Sequence, residues 1–223
     1  MGNTNQQSSK LNTDLSIKHI AKYPKDYSKD KKYPLIIAFH GHGSNENDLI
    51  DLSSQFEDNL FWVSGRGPHN FGENGYDWYE LPPNPEKLAS ILKTITIFIK
   101  ELKTTYPIDT NKIYLMGFSQ GSMISLSYAL AFPNSISGVI SQSGAIPSDI
   151  GLNIDAKNLN NLPIIITHGI EDRMIPIERA REAKDFLTKL KTNLSYNEFH
   201  MGHTINNESI SVVKKWLDLE LKK

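Results

Sequence analysis

The sequence contains no cysteine, no long apolar run and almost no net charge. Without cysteine the chain forms no disulfide, has no thiolate nucleophile and binds no metal through sulfur. No apolar stretch approaches the roughly 18 residues of a membrane-spanning helix, so we expect no stable insertion into a membrane. The 24 basic and 25 acidic residues give a formal net charge of −1, and this balance predicts no attraction to nucleic acid.

Length and local composition predict one folded domain. A chain of 223 residues is expected to form a single domain that buries roughly 70–75% of its unfolded surface. Residues 1–13 are rich in Asn, Gln and Ser, which predicts a disordered tail, and residues 14–223 are assigned to the domain. The first residues show no signal peptide, so we expect a cytoplasmic protein unless a leader has been removed.

Apolar runs and amphipathic stretches alternate along the domain. Short apolar runs predict strands, and apolar residues that repeat at helical spacing predict helices. The predicted strands cover residues 14–23, 33–39, 60–64, 113–116, 135–141, 162–167 and 194–199. The predicted helices cover residues 46–56, 85–103, 122–129, 177–190 and 208–221. This alternation predicts an α/β fold with a mostly parallel central sheet and helices on both faces.

A serine lies between two glycines at the point where a predicted strand meets a predicted helix. Residues 117–121 read Gly-Phe-Ser-Gln-Gly, with Ser119 at the centre. The glycines let the strand and the helix approach closely, and the tight turn holds the serine oxygen above the sheet edge, at the positive end of the helix. This arrangement is typical of the nucleophile elbow. Taken alone, Ser119 could equally be an ordinary serine at a helix N-terminus.

A serine nucleophile of this kind needs an acid, and then a histidine, later in the chain. A loop that carries Asp172 lies between the strand at residues 162–167 and the helix that begins after Pro176. Its carboxylate would fix the tautomer of the histidine and stabilise the charged imidazole. The adjacent Glu171 is the rival, and either acid could instead cap the helix or pair with Arg173.

His203 follows the last predicted strand and completes the chain order serine, aspartate, histidine. The imidazole would remove the serine proton, because a hydroxyl is otherwise a poor nucleophile. Two other histidines compete for this role. His200 lies at the strand end and is expected to point elsewhere, and His168 ends a buried strand, where we expect a structural hydrogen bond.

Two glycines bracket a histidine just after the strand at residues 33–39. Residues 40–43 read His-Gly-His-Gly, a backbone that can turn its N–H groups inward. The motif corresponds to the histidine-glycine turn that supplies an oxyanion donor, here the N–H of His42, and the second donor would be the N–H of Gln120. His40 and His42 also resemble a metal-binding pair, but no third ligand is adjacent, so no metal is predicted.

Together these motifs resemble the phospholipase/carboxylesterase family of α/β-hydrolases, which includes acyl-protein thioesterases and small bacterial carboxylesterases. The resemblance covers roughly residues 33–220 and implies hydrolysis of esters or thioesters without a cofactor. It favours Asp172 over Glu171. It also places Trp78 near the acyl site, where this side chain either lines the pocket or packs the loop. Many relatives have an apolar residue at the position of His42, which bears on how lipophilic the pocket floor is.

The stretch from residue 144 to residue 163 leaves room for only a minimal cap. About 20 polar residues rich in Asn form a small flap at most, so we expect an open site that admits a small ester or an acylated protein. The sequence therefore predicts a serine carboxylesterase that acts on carboxylic esters, thioesters or lysophospholipids through an acyl-enzyme on Ser119. One alternative is a carbohydrate esterase of the feruloyl or acetyl type. Another is a catalytically silent hydrolase fold that serves for binding.

Overall fold

The architecture rests on a central sheet whose inner strands are apolar on both faces. It is seen in a computed structural model that describes residues 10–81, 84–147, 151 and 154–223. The strands are β1 (His19–Lys22), β2 (Tyr33–Phe39), β3 (Phe61–Gly65), β4 (His69–Phe71), β5 (Gly75–Asp77), β6 (Ile108–Phe118), β7 (Gly138–Gln142), β8 (Pro163–Gly169) and β9 (Asn193–Phe199). The helices are α1 (Pro85–Thr105), α2 (Gln120–Ala131), α3 (Ile177–Lys189) and α4 (Asn207–Leu221).

Seven of the strands form one sheet in the order β1-β3-β2-β6-β7-β8-β9. Only β1 runs antiparallel to its neighbour, and the other six strands are parallel. Side chains of α1, α2 and α3 pack on one face of this sheet, and side chains of α4 pack on the other. Both faces are therefore covered, as parallel sheets require. The α/β-hydrolase fold predicted from the sequence is confirmed.

The parallel arrangement brings the four sequence motifs to one edge of the sheet. The carboxyl ends of β2, β6, β8 and β9 lie along one edge, because these strands run in the same direction. The loop at residues 40–43 follows β2, and Ser119 follows β6. Asp172 lies between β8 and α3, and His203 lies between β9 and α4. Four short loops on a rigid scaffold thus meet at a single place.

The predicted helix at residues 46–56 is wrong. In the structure this segment consists of turns and one 3₁₀ helix, Asp51–Gln55. Its serines bond to nearby carbonyl oxygens, since Ser53 Oγ donates to Ile50 O and Ser54 Oγ donates to Asp51 O. Such local bonds offer the backbone an alternative to the hydrogen bonds of an α-helix. The apolar spacing alone therefore predicted a helix that does not form.

The first strand is shorter than the predicted range of residues 14–23. The backbone N–H and the Oγ of Ser16 both donate to the Glu101 carboxylate on α1, at 2.9 and 2.7 Å. These bonds draw residues 14–17 away from the sheet, so that β1 begins only at His19. Asn12 pairs with His19 through two backbone hydrogen bonds. Ordered backbone therefore begins before residue 14, whereas residues 1–9 of the predicted tail lie outside the described residues.

A small hairpin formed by β4 and β5 was not predicted. Residues 72–74 form its turn, in which Gly72 has φ 67°, a conformation that glycine adopts readily. An added Cβ at Gly75 would lie 2.4 Å from Gly43 O. The hairpin therefore packs directly against the loop after β2. Tyr76 also pairs with Ser44 as an isolated antiparallel bridge. This contact becomes important at the site.

In the predicted flap at residues 144–163, the described residues before β8 begins at Pro163 form no helix or strand. Residues 148–150 and 152–153 of the flap lie outside the described part. Leu159 is fully buried and anchors this segment in the larger core. None of the helices in the described residues is long and apolar enough to cross a membrane.

Candidate active site

Ser119 occupies a strained turn that glycines make possible. Its backbone has φ 53° and ψ −116°, between the end of β6 and the start of α2. A Cβ at Gly117 would lie 2.2 Å from Gly121 O, and a Cβ at Gly121 would lie 1.9 Å from Phe39 O. No side chain fits at either glycine. A non-glycine residue at positive φ is uncommon and is typical of functional sites, where the surrounding structure maintains the strain.

A continuous chain of hydrogen bonds joins the three residues singled out in the sequence. His203 Nε2 lies 2.9 Å from Ser119 Oγ, and His203 Nδ1 lies 2.7 Å from Asp172 Oδ2. A carboxylate can only accept hydrogen bonds, so Nδ1 of His203 carries the proton. In the neutral ring Nε2 then carries no proton, and its lone pair can accept a hydrogen bond from the Ser119 hydroxyl. This is the tautomer that a general base needs.

Asp172 is held in place by its own loop. Its Oδ1 accepts the backbone N–H groups of Met174 and Ile175, each at 2.9 Å. Its side chain has no exposed surface, and Oδ2 accepts from His203 Nδ1 at 2.7 Å and also lies 3.4 Å from His168 Nε2. The loop is closed by His168, which is fully buried and whose Nε2 donates to Ile175 O at 2.8 Å. His168 therefore has the structural hydrogen bond that we expected.

The rival acid and the rival histidine lie outside the site. The side chain of Glu171 is 67% exposed and that of His200 is 87% exposed, and they approach each other to 3.7 Å. Neither is hydrogen-bonded to Ser119 or His203. The geometry thus brings together Asp172 rather than Glu171 with His203.

The loop that carries His203 is supported by residues that sequence reasoning missed. Ser143 follows β7 with φ 48°, is fully buried, and donates from Oγ to Thr204 O at 3.1 Å. The ring of Phe118 lies 4.9 Å from the imidazole of His203, centroid to centroid. Phe118 belongs to the elbow motif, but nothing in the sequence pattern marked Ser143.

The loop after β2 lies directly beside Ser119. A Cβ at Gly41 would lie 3.4 Å from Ser119 Cβ and 3.1 Å from the Phe118 ring. The N–H of Gly43 already donates to Asp77 Oδ1 at 2.9 Å. The N–H of His42 has no acceptor among the described residues.

A second free N–H group belongs to the first residue of α2. Gln120 occupies that position, and the first N–H groups of a helix have no intrahelical acceptor. The N–H groups of His42 and Gln120 therefore both lack a hydrogen-bond acceptor among the described residues.

His40 fixes the base of this loop as a neutral imidazole. Its Nε2 accepts the backbone N–H of Gly67 at 3.0 Å, so the proton lies on Nδ1, which donates to Gly41 O at 2.7 Å. Complete burial lowers the pKa of His40 below the ordinary histidine value, against the opposing effect of the Gly41 hydrogen bond. The ring therefore has a structural role.

Trp78 is fully buried, which favours packing over a role in lining an acyl pocket. Its indole Nε1 donates to His40 O at 2.9 Å, and its ring packs edge-on against Phe39. The side chain of Gln120 holds the same segment, since Oε1 accepts Trp78 N–H at 2.8 Å and Nε2 donates to Tyr79 O at 2.9 Å. The sequence predicted a role only for the backbone of Gln120, and this clamp between its side chain and residues 78–79 was not predicted.

An ion pair between Glu46 and Arg66 ties the loop after β2 to the hairpin. The guanidinium binds the nearly buried carboxylate through two nitrogens and lies 4.5 Å from the ring centroid of Tyr76. Burial alone would raise the pKa of Glu46, but the hydrogen bonds and the positive charge of Arg66 hold it below the ordinary value. Bidentate pairs of this kind fix orientation as well as charge.

The described residues contain no group of three His, Cys, Asp or Glu side chains that could hold a metal ion. The groups available for chemistry are therefore a hydroxyl, an imidazole–carboxylate pair and two free backbone N–H groups. Such a set can attack a carbonyl carbon and stabilise the oxyanion that forms.

Known proteins resemble this chain in sequence and in fold. Acyl-protein thioesterase 1 of Kluyveromyces lactis is 30% identical over 213 residues, which cover 84% of this chain and 92% of that protein. A probable carboxylesterase, SOBER1-like, of Arabidopsis thaliana is 28% identical over 203 residues, which cover 82% of this chain and 77% of that protein. Among solved structures, a carboxylesterase from Mesorhizobium loti superposes with a TM-score of 0.84 at 18% identity, covering 94% of this chain and 98% of that one.

The family model described as phospholipase/carboxylesterase matches residues 26–221, nearly the whole chain. The elbow, the loop after β2, the acid loop and the histidine loop all lie within that match. The chain belongs to the phospholipase/carboxylesterase family of α/β-hydrolases.

Proposed function

We propose that this protein is a serine carboxylesterase that works through an acyl-enzyme on Ser119. The observation that carries the proposal is the hydrogen-bond chain from Asp172 through His203 to Ser119 Oγ, with distances of 2.7 and 2.9 Å, on a strained elbow. Relatives named carboxylesterase and acyl-protein thioesterase support the same reaction class.

In the first half of the reaction, Ser119 Oγ attacks the acyl carbon of the ester. His203 Nε2 takes the hydroxyl proton as the C–O bond forms, and Asp172 stabilises the resulting imidazolium. The N–H groups of His42 and Gln120 donate to the oxyanion of the tetrahedral intermediate. When the intermediate collapses, His203 returns the proton to the departing alcohol or thiol, and the acyl group remains on Ser119.

In the second half, water takes the place of the alcohol. His203 removes a proton from the water as its oxygen attacks the acyl-enzyme, and the same two N–H groups hold the second oxyanion. Collapse releases the carboxylic acid and restores the Ser119 hydroxyl. These steps need no group beyond the side chains and backbone of the chain.

The substrate is either a small-molecule ester or thioester, or a protein that carries an acyl group through such a bond. Before β8 begins at Pro163, the described part of the flap has no helix or strand, and Ser119 and His203 are only partly buried. These observations support a site that admits a bulky leaving group.

The test is hydrolysis of p-nitrophenyl acetate, butyrate and octanoate, with butyrylthiocholine as the thioester. We expect turnover in the wild type and a loss of about 10⁴-fold or more in Ser119→Ala, because the nucleophile is removed. Ser90→Ala, an exposed serine on α1, is the matched control and should retain full activity. Ester turnover that persists in Ser119→Ala, or a wild type that hydrolyses none of these compounds, would refute the proposal.

A further inference from the structure

His42 and Asp77 form a second imidazole–carboxylate pair close to the nucleophile. His42 Nδ1 lies 2.7 Å from Asp77 Oδ1, the same distance that separates His203 from Asp172. Asp77 is almost fully buried at the end of β5, and its Oδ1 also accepts the N–H of Gly43. The imidazole is thus fixed in one orientation by a buried acceptor.

This contact leaves the far nitrogen of the ring free. The carboxylate accepts hydrogen bonds, so Nδ1 of His42 carries the proton and Nε2 of the neutral ring is an acceptor. Nε2 has no hydrogen-bond partner in the part of the chain that the structure describes. The side chain of His42 is 39% exposed, although its carboxylate partner is only 8% exposed. The partly exposed ring thus carries an oriented acceptor that has no partner among the described residues.

His42 lies on the loop that flanks the nucleophile. A Cβ added at the preceding residue, Gly41, would lie 3.4 Å from Ser119 Cβ and 3.1 Å from the Phe118 ring. The imidazole packs against Phe71, a half-exposed residue at the end of β4, with 4.4 Å between the ring centroids. The mechanism uses only the backbone N–H of His42, so its side chain has no role in the reaction as derived.

We propose that His42 determines specificity: its Nε2 accepts a hydrogen bond from a hydroxyl group that the ester carries close to its scissile bond. The inference rests on the proposed esterase function and deepens it. An unsubstituted ester that covers the ring strips water from Nε2 and returns no donor, which is unfavourable for a polar atom. A hydroxylated ester replaces that water. A site built around such an acceptor discriminates against the analogue that lacks the hydroxyl.

The experiment compares matched esters in a pH-stat. Ethyl lactate against ethyl propanoate places the hydroxyl on the acyl side, and 2-hydroxypropyl acetate against propyl acetate places it on the alcohol side. Ethyl 2-methoxypropanoate and 2-methoxypropyl acetate have similar bulk and no donor. We expect the wild type to prefer the hydroxylated ester in one of the two arms, by kcat/KM, and to show no such preference for the methoxy ester.

Two variants assign the preference to Nε2. In His42→Leu we expect the hydroxylated-to-plain ratio to fall by about 3- to 10-fold, as for the loss of one neutral hydrogen bond. His42→Gln should recover part of the ratio, because its amide oxygen can accept. The readout is a ratio, so a change in overall rate common to both esters cancels.

The outcomes separate this inference from the proposed function. Esters that are hydrolysed through Ser119 with equal ratios in wild type and His42→Leu would overturn the role of His42 alone. A wild type that prefers the methoxy ester as strongly as the hydroxylated one would do the same. A wild type without any esterase activity would overturn the proposed function itself.

Discussion

Two adjacent acids on the loop after β8 have opposite environments. The side chain of Asp172 has no exposed surface and faces His203, whereas that of Glu171 is mostly exposed and faces His200. The difference follows from the turn. Asp172 Oδ1 accepts the backbone N–H groups of Met174 and Ile175 on its own loop, a local hydrogen bond that the short side chain of Asp favours.

The first prediction separates these acids. In Asp172→Asn the amide can keep its oxygen on the loop and turn its NH₂ group toward His203, which then holds the wrong tautomer. We expect turnover to fall by about 10⁴-fold. Glu171→Gln is the matched control and should retain activity within about twofold, as exposed substitutions usually do. Steady-state kinetics on one p-nitrophenyl ester decides, and the reverse ranking would assign the role to Glu171.

The second prediction concerns Gln120, whose side chain and backbone have different tasks. Gln120→Ala removes the partners of Trp78 N–H and Tyr79 O, so we expect a loss of about 2–4 kcal/mol in the free energy of unfolding. The backbone N–H remains, and turnover at a temperature where the variant is folded should stay within about tenfold. Gln55→Ala, at an exposed glutamine, should change neither quantity. A variant as stable as the wild type but inactive would show that the side chain itself acts on the substrate.

At the scale of elements, the strand-to-helix turn at Ser119 depends on close backbone approach. A Cβ at Gly121 would meet Phe39 O at 1.9 Å, inside the sheet. A Cβ at Gly72 would meet nothing within 4 Å, although φ there is +67°. The two glycines therefore have different reasons to be glycine, one steric and one conformational.

The third prediction follows from that contrast. Gly121→Ala forces β2 and α2 apart, so we expect it to lower the free energy of unfolding by more than about 3 kcal/mol or to prevent folding. Gly72→Ala meets only the positive-φ penalty and should lose about 1 kcal/mol. Urea unfolding followed by circular dichroism measures both. Equal losses in the two variants would contradict the close approach at the elbow.

How far the sequence predicted the elements depends on how strong each local signal was. Buried parallel strands such as β2 and β8 are unbroken apolar runs, and α1 has a regular apolar face behind its Asn84 cap, so these were predicted well. The segment at residues 46–56 has apolar spacing too, but its serines bond to the local backbone and the α-helix does not form. Periodicity carries no information about such competing bonds.

In the functional site, too, residues with a local sequence signal were predicted and long-range contacts were not. Ser119, Asp172 and His203 lie in motifs that each follow a strand, so chain order narrowed the choice, and the family resemblance decided between Asp172 and Glu171. The clamp between Gln120 and Trp78, and the pair of His42 with Asp77, join residues more than thirty positions apart. Their geometry depends on the hairpin of β4 and β5, which was not predicted. Long-range polar pairs of this kind leave no local pattern.

At the scale of the whole molecule, two histidines are buried as neutral rings on opposite sides of β3. His19 donates from Nδ1 to Ile17 O, and its Nε2 lies 3.0 Å from the hydroxyl of Tyr106. Burial is the main cause that lowers the pKa of His19, as it is for His40. Protonation therefore favours the unfolded chain, in which these rings are in water.

The fourth prediction is a loss of stability in mild acid. Because the folded pKa values lie below the unfolded value of about 6.5, the stability is fully present above that pH and is lost as the pH falls through the folded pKa values. Between its folded pKa and the unfolded value of about 6.5, each histidine lowers the free energy of unfolding by up to about 1.4 kcal/mol for each pH unit of acidification. Urea unfolding at several pH values between about 7.5 and 5 measures it.

His19→Asn isolates one of the two rings. Its amide can keep the hydrogen bond to Ile17 O but does not titrate, so the loss of stability between pH about 7.5 and 5 should be smaller than in the wild type. Identical pH dependence in the two proteins would show that His19 does not stay neutral in the fold.

The central claim is that Ser119 is the nucleophile, and a fluorophosphonate probe tests it most directly. The probe forms a stable bond only with a serine whose proton is removed by a neighbouring base. Peptide mapping by mass spectrometry should find one adduct, on Ser119, in the wild type and none in Ser119→Ala, with labelling strongly slowed in His203→Ala. An adduct on a different serine, or unlabelled protein that still hydrolyses esters, would contradict the account.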